Sequence, residues 1–250
     1  MRIPRFFLSP GEIGRTVRLE GNNAHHIIRV LRLRPGARIS VGDGRGKVYL
    51  AEITEINDGR VAARVTGEDA AGGEPDVTVV LVQGLGKGDK MDFVVQKATE
   101  IGVKGIVPLV TERVVVKLTE AKARRRRERW QKIAVEAAQQ SMRLAVPEVA
   151  PVQRLNEFLR SLPPETTAFF LWEEEHTRTL KEELRAREQA GAVYLLVGPE
   201  GGFTSREAAA ARAAGAVPVS LGPRLLRTET AGVVAAALVL YEWGDLGCGK

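Results

Sequence analysis

Leu195-Leu196-Val197-Gly198-Pro199-Glu200-Gly201-Gly202-Phe203-Thr204-Ser205-Arg206-Glu207 is the most informative segment of this chain. A second stretch, Leu221-Gly222-Pro223-Arg224-Leu225-Leu226-Arg227-Thr228-Glu229-Thr230-Ala231, follows it closely. Each predicts a buried strand, then a tight glycine loop, then the start of a helix. Two such loops side by side on a sheet form a pocket with walls that are mostly backbone. That pocket suits a small cofactor whose adenine and ribose form hydrogen bonds.

Polar residues mark the helix starts after both loops. Thr204 and Glu207 have the spacing of a capping box, and Thr228 followed by Glu229 predicts a second N-cap with a carboxylate in the first turn. The alternative for residues 198–202 is an ordinary strand-to-helix turn that uses the backbone freedom of glycine. The two loops taken alone leave both possibilities open.

Strands and helices alternate from residue 77 onward. Short apolar runs predict strands buried on both faces, and longer segments between and after them predict helices. This order favours an α/β fold with a parallel sheet that helices cover on both sides. The strands are expected at 77–82, 106–110, 168–172, 193–197 and 217–221, and the helices at 90–101, 120–143, 179–190, 205–214 and 229–243.

The N-terminal part of the chain has a different pattern. Short runs with apolar alternation predict strands at 16–19, 38–41, 47–56 and 60–66, and a short helix fits 23–31. The glycine-rich residues 42–46 predict a hairpin turn. Residues 68–75 lack periodicity and contain helix and strand breakers, so they are the expected linker. We therefore expect a small β domain over 1–72 and a second domain over 73–250.

Charge favours an anionic partner, with nucleic acid first. The chain of 250 residues has a net charge of +6, and residues 1–72 account for +4 of it. Arginines crowd at 124–127, followed by Glu128 and Arg129. Four consecutive helical residues point all around a helix, so a solvated surface is favoured there over an RNA patch.

Several classes of function lack their residues. Cys248 is the single cysteine and the three histidines are scattered, so neither an internal disulfide nor a metal site is expected. Residues 84–90 miss the spacing of a nucleotide phosphate loop, and Asp89 stands where that loop has its second glycine. The apolar run 231–241 is too short for a membrane span. With no apparent signal peptide, a soluble cytoplasmic protein is the expectation.

The two loops resemble the cofactor loops of the SPOUT superfamily, the knotted methyltransferases that use S-adenosylmethionine (SAM). The fuller pattern resembles the bacterial 16S rRNA uridine-N3 methyltransferases (the RsmE family). Matching segments run the length of the chain: Arg2-Ile3-Pro4-Arg5, residues 26–32, Gly88-Asp89-Lys90-Met91-Asp92, Gln96-Lys97, residues 100–103, Glu112-Arg113, Val116-Lys117-Leu118, residues 130–134, Gln140 with Arg143, Val146-Pro147-Glu148, both glycine loops and Gly244-Asp245-Leu246.

The resemblance implies a PUA-like RNA-binding β-barrel followed by a SAM-binding domain with a deep trefoil knot. It implies a homodimer that methylates N3 of a uridine in small-subunit rRNA. The alternatives are the same fold acting on a ribose hydroxyl or a tRNA base, and an RNA-binding protein without catalysis. No metal is expected, because the sulfonium already activates the methyl group.

By resemblance, the cofactor lies on both loops and on the end of a third strand, where Trp172 could instead be ordinary core. The strongly acidic segment Glu173-Glu174-Glu175-His176 is not placed by the family pattern. The implied cofactor-binding residues are Leu171, Trp172, Gly198, Pro199, Glu200, Gly201, Gly202, Leu221, Gly222, Leu225, Leu226 and Arg227.

Methylation of uridine N3 requires loss of its proton, and a cation in a site of low dielectric constant stabilises the resulting anion. We expect Arg227 or Arg143 to serve this purpose; the alternative for Arg227 is an ion pair with Glu229 or a bond to a loop carbonyl.

His26 is also expected to contact RNA, and its alternative role is that of a hydrogen-bonded residue at a helix start. The expected RNA-facing residues are Arg5, His26, Arg29, Arg32, Lys97, Arg113, Lys117 and Arg143.

Overall fold

The computed structural model describes residues 3–9, 11–69, 73–114, 119–163 and 166–248. The chain forms two compact units. The first contains residues 1–74 together with 138–146, and the second contains residues 75–137 and 147–250. The expected boundary at residue 72 did not anticipate that residues 138–146 belong to the first unit.

A five-stranded sheet forms the first unit, in the order β1-β3-β4-β5-β2. β1 pairs parallel with β3, and the other neighbours are antiparallel. Inward-facing apolar residues such as Phe6, Val17 and Ile39 are fully buried between them. The strands are β1 (Arg5–Phe7), β2 (Thr16–Leu19), β3 (Arg38–Gly42), β4 (Val48–Asn57) and β5 (Arg60–Glu68).

The expected hairpin between β3 and β4 is confirmed, whereas β1 was not predicted because three residues are too few to show a period. Among the described pairings, β1 and β2 are the edges of the sheet, so barrel closure stays a prediction. The expected helix at 23–31 is a short helix, α1 (Gly21–His25), continued by a π-helical turn, His26–Val30.

The second unit has a parallel sheet in the order β12-β10-β11-β6-β7-β8, with β9 also paired to β7. All five strands predicted from residue 77 onward are present, because their β-branched and aliphatic runs are buried on both faces. The strands are β6 (Thr78–Gly84), β7 (Gly105–Val110), β8 (Glu148–Val149), β9 (Gln153–Arg154), β10 (Thr167–Leu171), β11 (Ala192–Val197) and β12 (Val217–Val219).

The helices largely follow the predictions. The helix expected at 120–143 ends earlier, because Met142 adopts a left-handed conformation and the Arg143 amide bonds back to the carbonyl of Ala138. The helix expected at 179–190 is shorter, and α4 was not predicted. The helices are α2 (Lys90–Ile101), α3 (Glu120–Gln140), α4 (Leu155–Ser161), α5 (Leu180–Arg185), α6 (Ser205–Ala213) and α7 (Thr228–Trp243).

Candidate functional site

A cavity of about 710 Å³ lies at the carboxyl ends of β10, β11 and β12 and beside the start of α7. This edge of a parallel sheet is where α/β proteins bind ligands. The cavity is lined by Lys90, Leu171, Trp172, Glu173, His176, Val197, Gly198, Pro199, Glu200, Gly202, Phe203, Val219, Ser220, Leu221, Gly222, Pro223, Arg224, Leu225, Leu226, Arg227, Thr228 and Ala231. Except for Gly201, all the predicted cofactor-binding residues are therefore among its lining residues.

The first glycine loop, residues 198–202, follows β11 and leads to α6. The Gly202 amide bonds to the Pro199 carbonyl, and Gly202 has a positive φ of 66° that other residues adopt at a cost. The predicted capping box of Thr204 and Glu207 is confirmed at the start of α6. Both ends of this loop are therefore set by regular structure.

Gly84, at the end of β6, touches the first glycine loop backbone to backbone. A Cβ on Gly84 would lie 2.6 Å from the Pro199 nitrogen and 2.9 Å from the Gly198 carbonyl carbon. Neither backbone atom can move out of the way as the end of a flexible side chain can. Glycine at residue 84 therefore allows the loop to sit directly against the sheet.

Thr228 ties the first glycine loop to α7. Its hydroxyl donates to the Gly198 carbonyl and accepts a hydrogen bond of 2.9 Å from the Gln83 amide. The sequence predicted Thr228 as the N-cap, but the N-cap is Arg227 and Thr228 is the first helical residue. Because Thr228 is buried, its hydroxyl bonds to the first glycine loop and does not cap the helix.

Glu200 fixes the middle of the same loop through charged contacts. Its carboxylate accepts 2.9 Å hydrogen bonds from the Lys87 amide and from Nζ of Lys90, and Lys90 lies 3.4 Å from Glu229. Burial opposes ionisation of Glu200, but the bonds from Lys90 and Lys87 outweigh it and lower the pKa of this carboxyl to about 2. The bond to Glu200 likewise raises the pKa of Lys90. Lys90 therefore joins three chain segments at the edge of the cavity.

Arg113 holds the outer side of the loop. Its guanidinium donates to the Gly201 carbonyl, and its Cβ would lie 3.1 Å from a Cβ on Gly201. The adjacent Glu112 pairs with Arg206, and its backbone amide donates to Glu207 on α6. The turn after β7 thus supports the loop and the helix that follows it.

The second glycine loop, residues 221–227, has fewer contacts. The Ser220 hydroxyl accepts from the Gly222 amide at 3.2 Å, and Gly222 has a positive φ of 110°. Leu225 is 86% exposed, and Pro223 and Arg224 are exposed as well. No ion pair involving this loop is found among the described residues.

Arg227 is exposed at the mouth of the cavity, where it begins α7. Within the described ranges, its guanidinium has neither an ion pair nor a side-chain hydrogen bond. The alternative of an ion pair with Glu229 is not seen, because Glu229 faces Lys90. The charge of Arg227 is therefore directed to the cavity mouth without a protein counter-ion there.

Trp172 and the acidic run after β10 form the third wall. Trp172 lines the cavity half-buried, with the Arg212 guanidinium 4.9 Å from its ring centroid. Glu175 is buried and closes the turn, and hydrogen bonds from the hydroxyl and amide of Thr177 lower its pKa to about 2. Glu173 and His176 line the cavity. The acidic run thus has both a structural and a cavity-facing part.

The predicted RNA-facing residues of the first unit divide into two groups. His26, Arg29 and Arg32 are exposed on or just after the π-helical turn, and His26 packs edge-on against Phe6. Arg5 is buried, where it bonds to Ser40, Asp69 and the carbonyls of residues 142 and 143. A phosphate contact by Arg5 would require this network to open.

Arg143 is 5% exposed and its guanidinium pairs with Glu74, whose carboxylate also accepts from the amides of residues 144 and 145. This network gives Arg143 a structural role within the first unit. In the second unit, Lys97 pairs with Glu100 at 2.9 Å and Arg113 supports Gly201. Lys117 lies outside the described residues.

Sequence reasoning missed Lys90, Glu173 and His176 as lining residues. Lys90 belongs to a segment that resembles the family, and Glu173 and His176 follow β10, but nothing in these local sequences indicates that their side chains line a cavity. The partners of Lys90, Glu200 and Glu229, lie far away in sequence and meet it only after folding.

No helix of the described ranges is long and apolar enough to cross a membrane. The same ranges contain no cluster of three or more potential metal ligands.

Comparison with known proteins identifies both parts of the chain. Residues 73–240 match an RNA methyltransferase domain, and residues 19–66 match an RNA methyltransferase PUA domain. The ribosomal RNA small subunit methyltransferase E of Bacillus subtilis is 32% identical over 91% of this chain and 90% of its own length. That of Synechocystis is 35% identical over 94% and 76%.

Solved structures of similar proteins match the fold over nearly the whole chain. The ribosomal RNA small subunit methyltransferase E of Neisseria gonorrhoeae, bound to SAM, is 37% identical, covers 98% of this chain and 99% of its own, and has a TM-score of 0.88. A methyltransferase from Legionella pneumophila in complex with SAM is 31% identical, with 98% and 100% covered and a TM-score of 0.89. The chain therefore belongs to the RNA methyltransferase family that includes the ribosomal RNA small subunit methyltransferases E.

Proposed function

We propose that this protein transfers a methyl group from SAM to N3 of a specific uridine in the 16S rRNA of the small ribosomal subunit. The observation that carries the proposal is the cavity at the carboxyl ends of three parallel strands, with a glycine loop on each side. Family membership supports the RNA substrate. The choice of uridine N3 as the methylated atom rests on the activity of the family that the chain resembles.

The cavity fits SAM in size and chemistry. Its volume of about 710 Å³ is within the range of small-molecule sites. The glycine loops lack side chains where the backbone must approach a ligand, and the buried indole nitrogen of Trp172 has no hydrogen-bond partner among the described residues. We assign the cofactor to both loops, Leu171 and Trp172.

SAM supplies a methyl group that its positive sulfonium already activates for in-line displacement. The task of the chain is to align this group with the nucleotide and to favour loss of the N3 proton. Backbone groups of the first glycine loop are held in place by Thr228, Glu200 and Arg113. This arrangement keeps the cofactor-binding surface in one geometry before the substrate arrives.

Arg227 is the proposed catalytic residue. As the N3 proton leaves, negative charge spreads over N3 and the neighbouring carbonyl oxygens of uracil, and a guanidinium at the cavity mouth stabilises it. Among the residues that the structure describes, Arg227 has no counter-ion that would weaken this effect. Arg143 was the other expected cation, but its ion pair with Glu74 favours a structural role.

Arg227→Ala is expected to lower kcat by about 100-fold, within the range for removal of one stabilising group in a transition state. SAM affinity, measured by calorimetry, should change by less than about threefold. Arg160→Ala, which removes an exposed arginine on α4, is the control with the same change in net charge. Methylation by Arg227→Ala at the rate of the control would contradict the catalytic assignment.

The first unit is the proposed RNA-binding domain, with His26, Arg29 and Arg32 as exposed contacts for the backbone phosphates. A homodimer and an assembled small subunit as the partner belong to this proposal, as does a location in the cytoplasm, where such a substrate would be met. The trefoil knot stays a prediction of the resemblance.

The deciding experiment is calorimetry with SAM, followed by mass spectrometry of nucleosides from small subunits that lack the modification. We expect SAM binding and the appearance of 3-methyluridine. Binding with a different methylated nucleoside would keep the cofactor and overturn the target. Failure to bind SAM would overturn the enzyme and leave an RNA-binding protein.

A further inference from the structure

The acidic run after β10, residues 173–175, places three glutamates in three different environments. Glu175 is buried and bonds to residues 177 and 178. Glu174 is exposed and is not among the residues that line the cavity. Glu173 lines the cavity. The run is therefore not a uniform charged surface, and only Glu173 faces the proposed cofactor.

Glu173 differs from the other lining carboxylate in its partners. Glu200 accepts bonds from the Lys87 amide and from Lys90. Within the part of the chain that the structure describes, Glu173 has no ion pair and accepts no hydrogen bond. The carboxylate of this lining residue therefore keeps its full capacity to accept hydrogen bonds.

The position of this carboxylate is defined by the first glycine loop. A Cβ on Gly202 would lie 2.8 Å from Oε1 of Glu173. The absence of a side chain at residue 202 thus leaves the space that the carboxylate uses. Glu173 lies where β10 and β11 both end, next to the backbone that is proposed to hold the nucleoside.

We infer that Glu173 accepts hydrogen bonds from the ribose 2′- and 3′-hydroxyl groups of the cofactor. This inference rests on the proposed function. Two neighbouring hydroxyls present two donors, and a carboxylate presents two acceptors at a similar spacing. Acidic residues at the ends of parallel strands bind ribose hydroxyls in the same way in dinucleotide-binding folds.

The other cations and donors that could meet Glu173 fit less well. A carboxylate against the sulfonium would stabilise the ground state, because that charge disappears during methyl transfer, and would thereby slow the reaction. RNA phosphates would be repelled by it. The ribose hydroxyls donate hydrogen bonds equally well before and during methyl transfer, so their hydrogen bonds to Glu173 do not slow the reaction.

The test is a thermodynamic cycle measured by calorimetry on the full chain. The ligands are S-adenosylhomocysteine and its 2′-deoxy analogue, and the proteins are the wild type, Glu173→Ala and the matched control Glu174→Ala. Charge-assisted hydrogen bonds predict that Glu173→Ala binds S-adenosylhomocysteine about 10- to 100-fold more weakly. The penalty for removing the 2′-hydroxyl should be about tenfold in the wild type and in Glu174→Ala, and should nearly vanish in Glu173→Ala.

5′-Methylthioadenosine separates the remaining possibilities, because it has the ribose but neither the sulfonium nor the amino-acid group. We expect Glu173→Ala to weaken its binding by the same factor as that of S-adenosylhomocysteine. An unchanged affinity for methylthioadenosine, or an unchanged 2′-deoxy penalty in Glu173→Ala, would overturn the inference while the proposed function stands. Failure of the wild type to bind SAM would instead remove the proposed function itself.

Discussion

The two glycine loops follow the same order of strand, loop and helix in the sequence, yet the protein holds them very differently. Side chains from three other segments fix the first loop, through Thr228, Lys90 and Arg113. The second loop relies on the short turn at Ser220 and exposes Leu225. One wall of the cavity is therefore built before any ligand binds, and we expect the other to adjust to the ligand.

The difference shows that a shared motif does not specify a shared mechanical role. Glycine gives both loops their backbone freedom, but other segments decide how much of that freedom remains. Rigid support of a binding surface lowers the entropy lost on binding. The supporting residues of the first loop should thus matter for affinity even where they do not touch the cofactor.

Gly84→Ala should have the largest effect on the first loop. Its new Cβ would overlap the backbone of Pro199, and overpacking of this kind costs about 1–3 kcal/mol. We expect SAM affinity to fall by at least about tenfold in calorimetry, since Pro199 has to move. Gly191→Ala is the control, because nothing lies within 4 Å of its new Cβ. Equal affinities of the two variants would show that the loop tolerates displacement.

Thr228→Val should have an intermediate effect. It keeps the shape of the side chain but leaves the Gly198 carbonyl and the Gln83 amide without this hydroxyl, at a cost of about 1–3 kcal/mol in the free energy of unfolding. Thr230→Val, at an exposed residue on the same helix, should stay within about 0.5 kcal/mol. Urea unfolding measures both, and similar losses in the two variants would break the proposed link between α7 and the loop.

Lys90→Met should have the smallest effect, and it should depend on pH. The pKa of Glu200 is lowered to about 2 from 4.5, so its pairing with Lys90 stabilises the fold fully above about pH 4.5 and loses this effect as the pH falls toward 2. At neutral pH the difference in unfolding free energy between wild type and variant should be below about 1 kcal/mol, because both side chains are partly exposed. It should shrink toward zero at pH 2.

The control for that titration is Lys132→Met, at an exposed residue on α3. Its difference from the wild type should not change between pH 2 and pH 7 through Glu200. A Lys90→Met difference that stays constant over the same range would mean that Glu200 is held without Lys90.

Local patterns were enough to predict five of the seven strands of the second sheet and the capping box at Thr204, whereas the assignment of both loops to a cofactor also needed the resemblance to a known family. The strands and the capping box depend on residues near one another in sequence, where period and spacing carry the information. Thr228 was predicted at a helix start but for the wrong purpose. Its hydroxyl bonds to Gly198, thirty residues away in the chain, and no local pattern contains that contact.

Long-range pairing also explains what the sequence could not indicate about the arginines. Arg5, Arg143 and Arg227 look alike as single cations in family segments. Folding buries Arg5 against Asp69 and Arg143 against Glu74, while Arg227 stays exposed at the cavity. The role of each arginine depends on which carboxylate, if any, pairs with it, and this pairing is set only by the folded structure.

The return of residues 138–146 to the first unit limits how this protein could be divided into fragments. Arg5 and Glu74 obtain their partners from this returning segment, at residues 142 and 143. A fragment that stops at residue 74 would contain the whole N-terminal sheet but would leave the buried Arg5 and the partly buried Glu74 without those partners. Cutting the chain at residue 74 would thus not yield an intact N-terminal unit, because part of that unit is supplied by a segment more than sixty residues further along the chain.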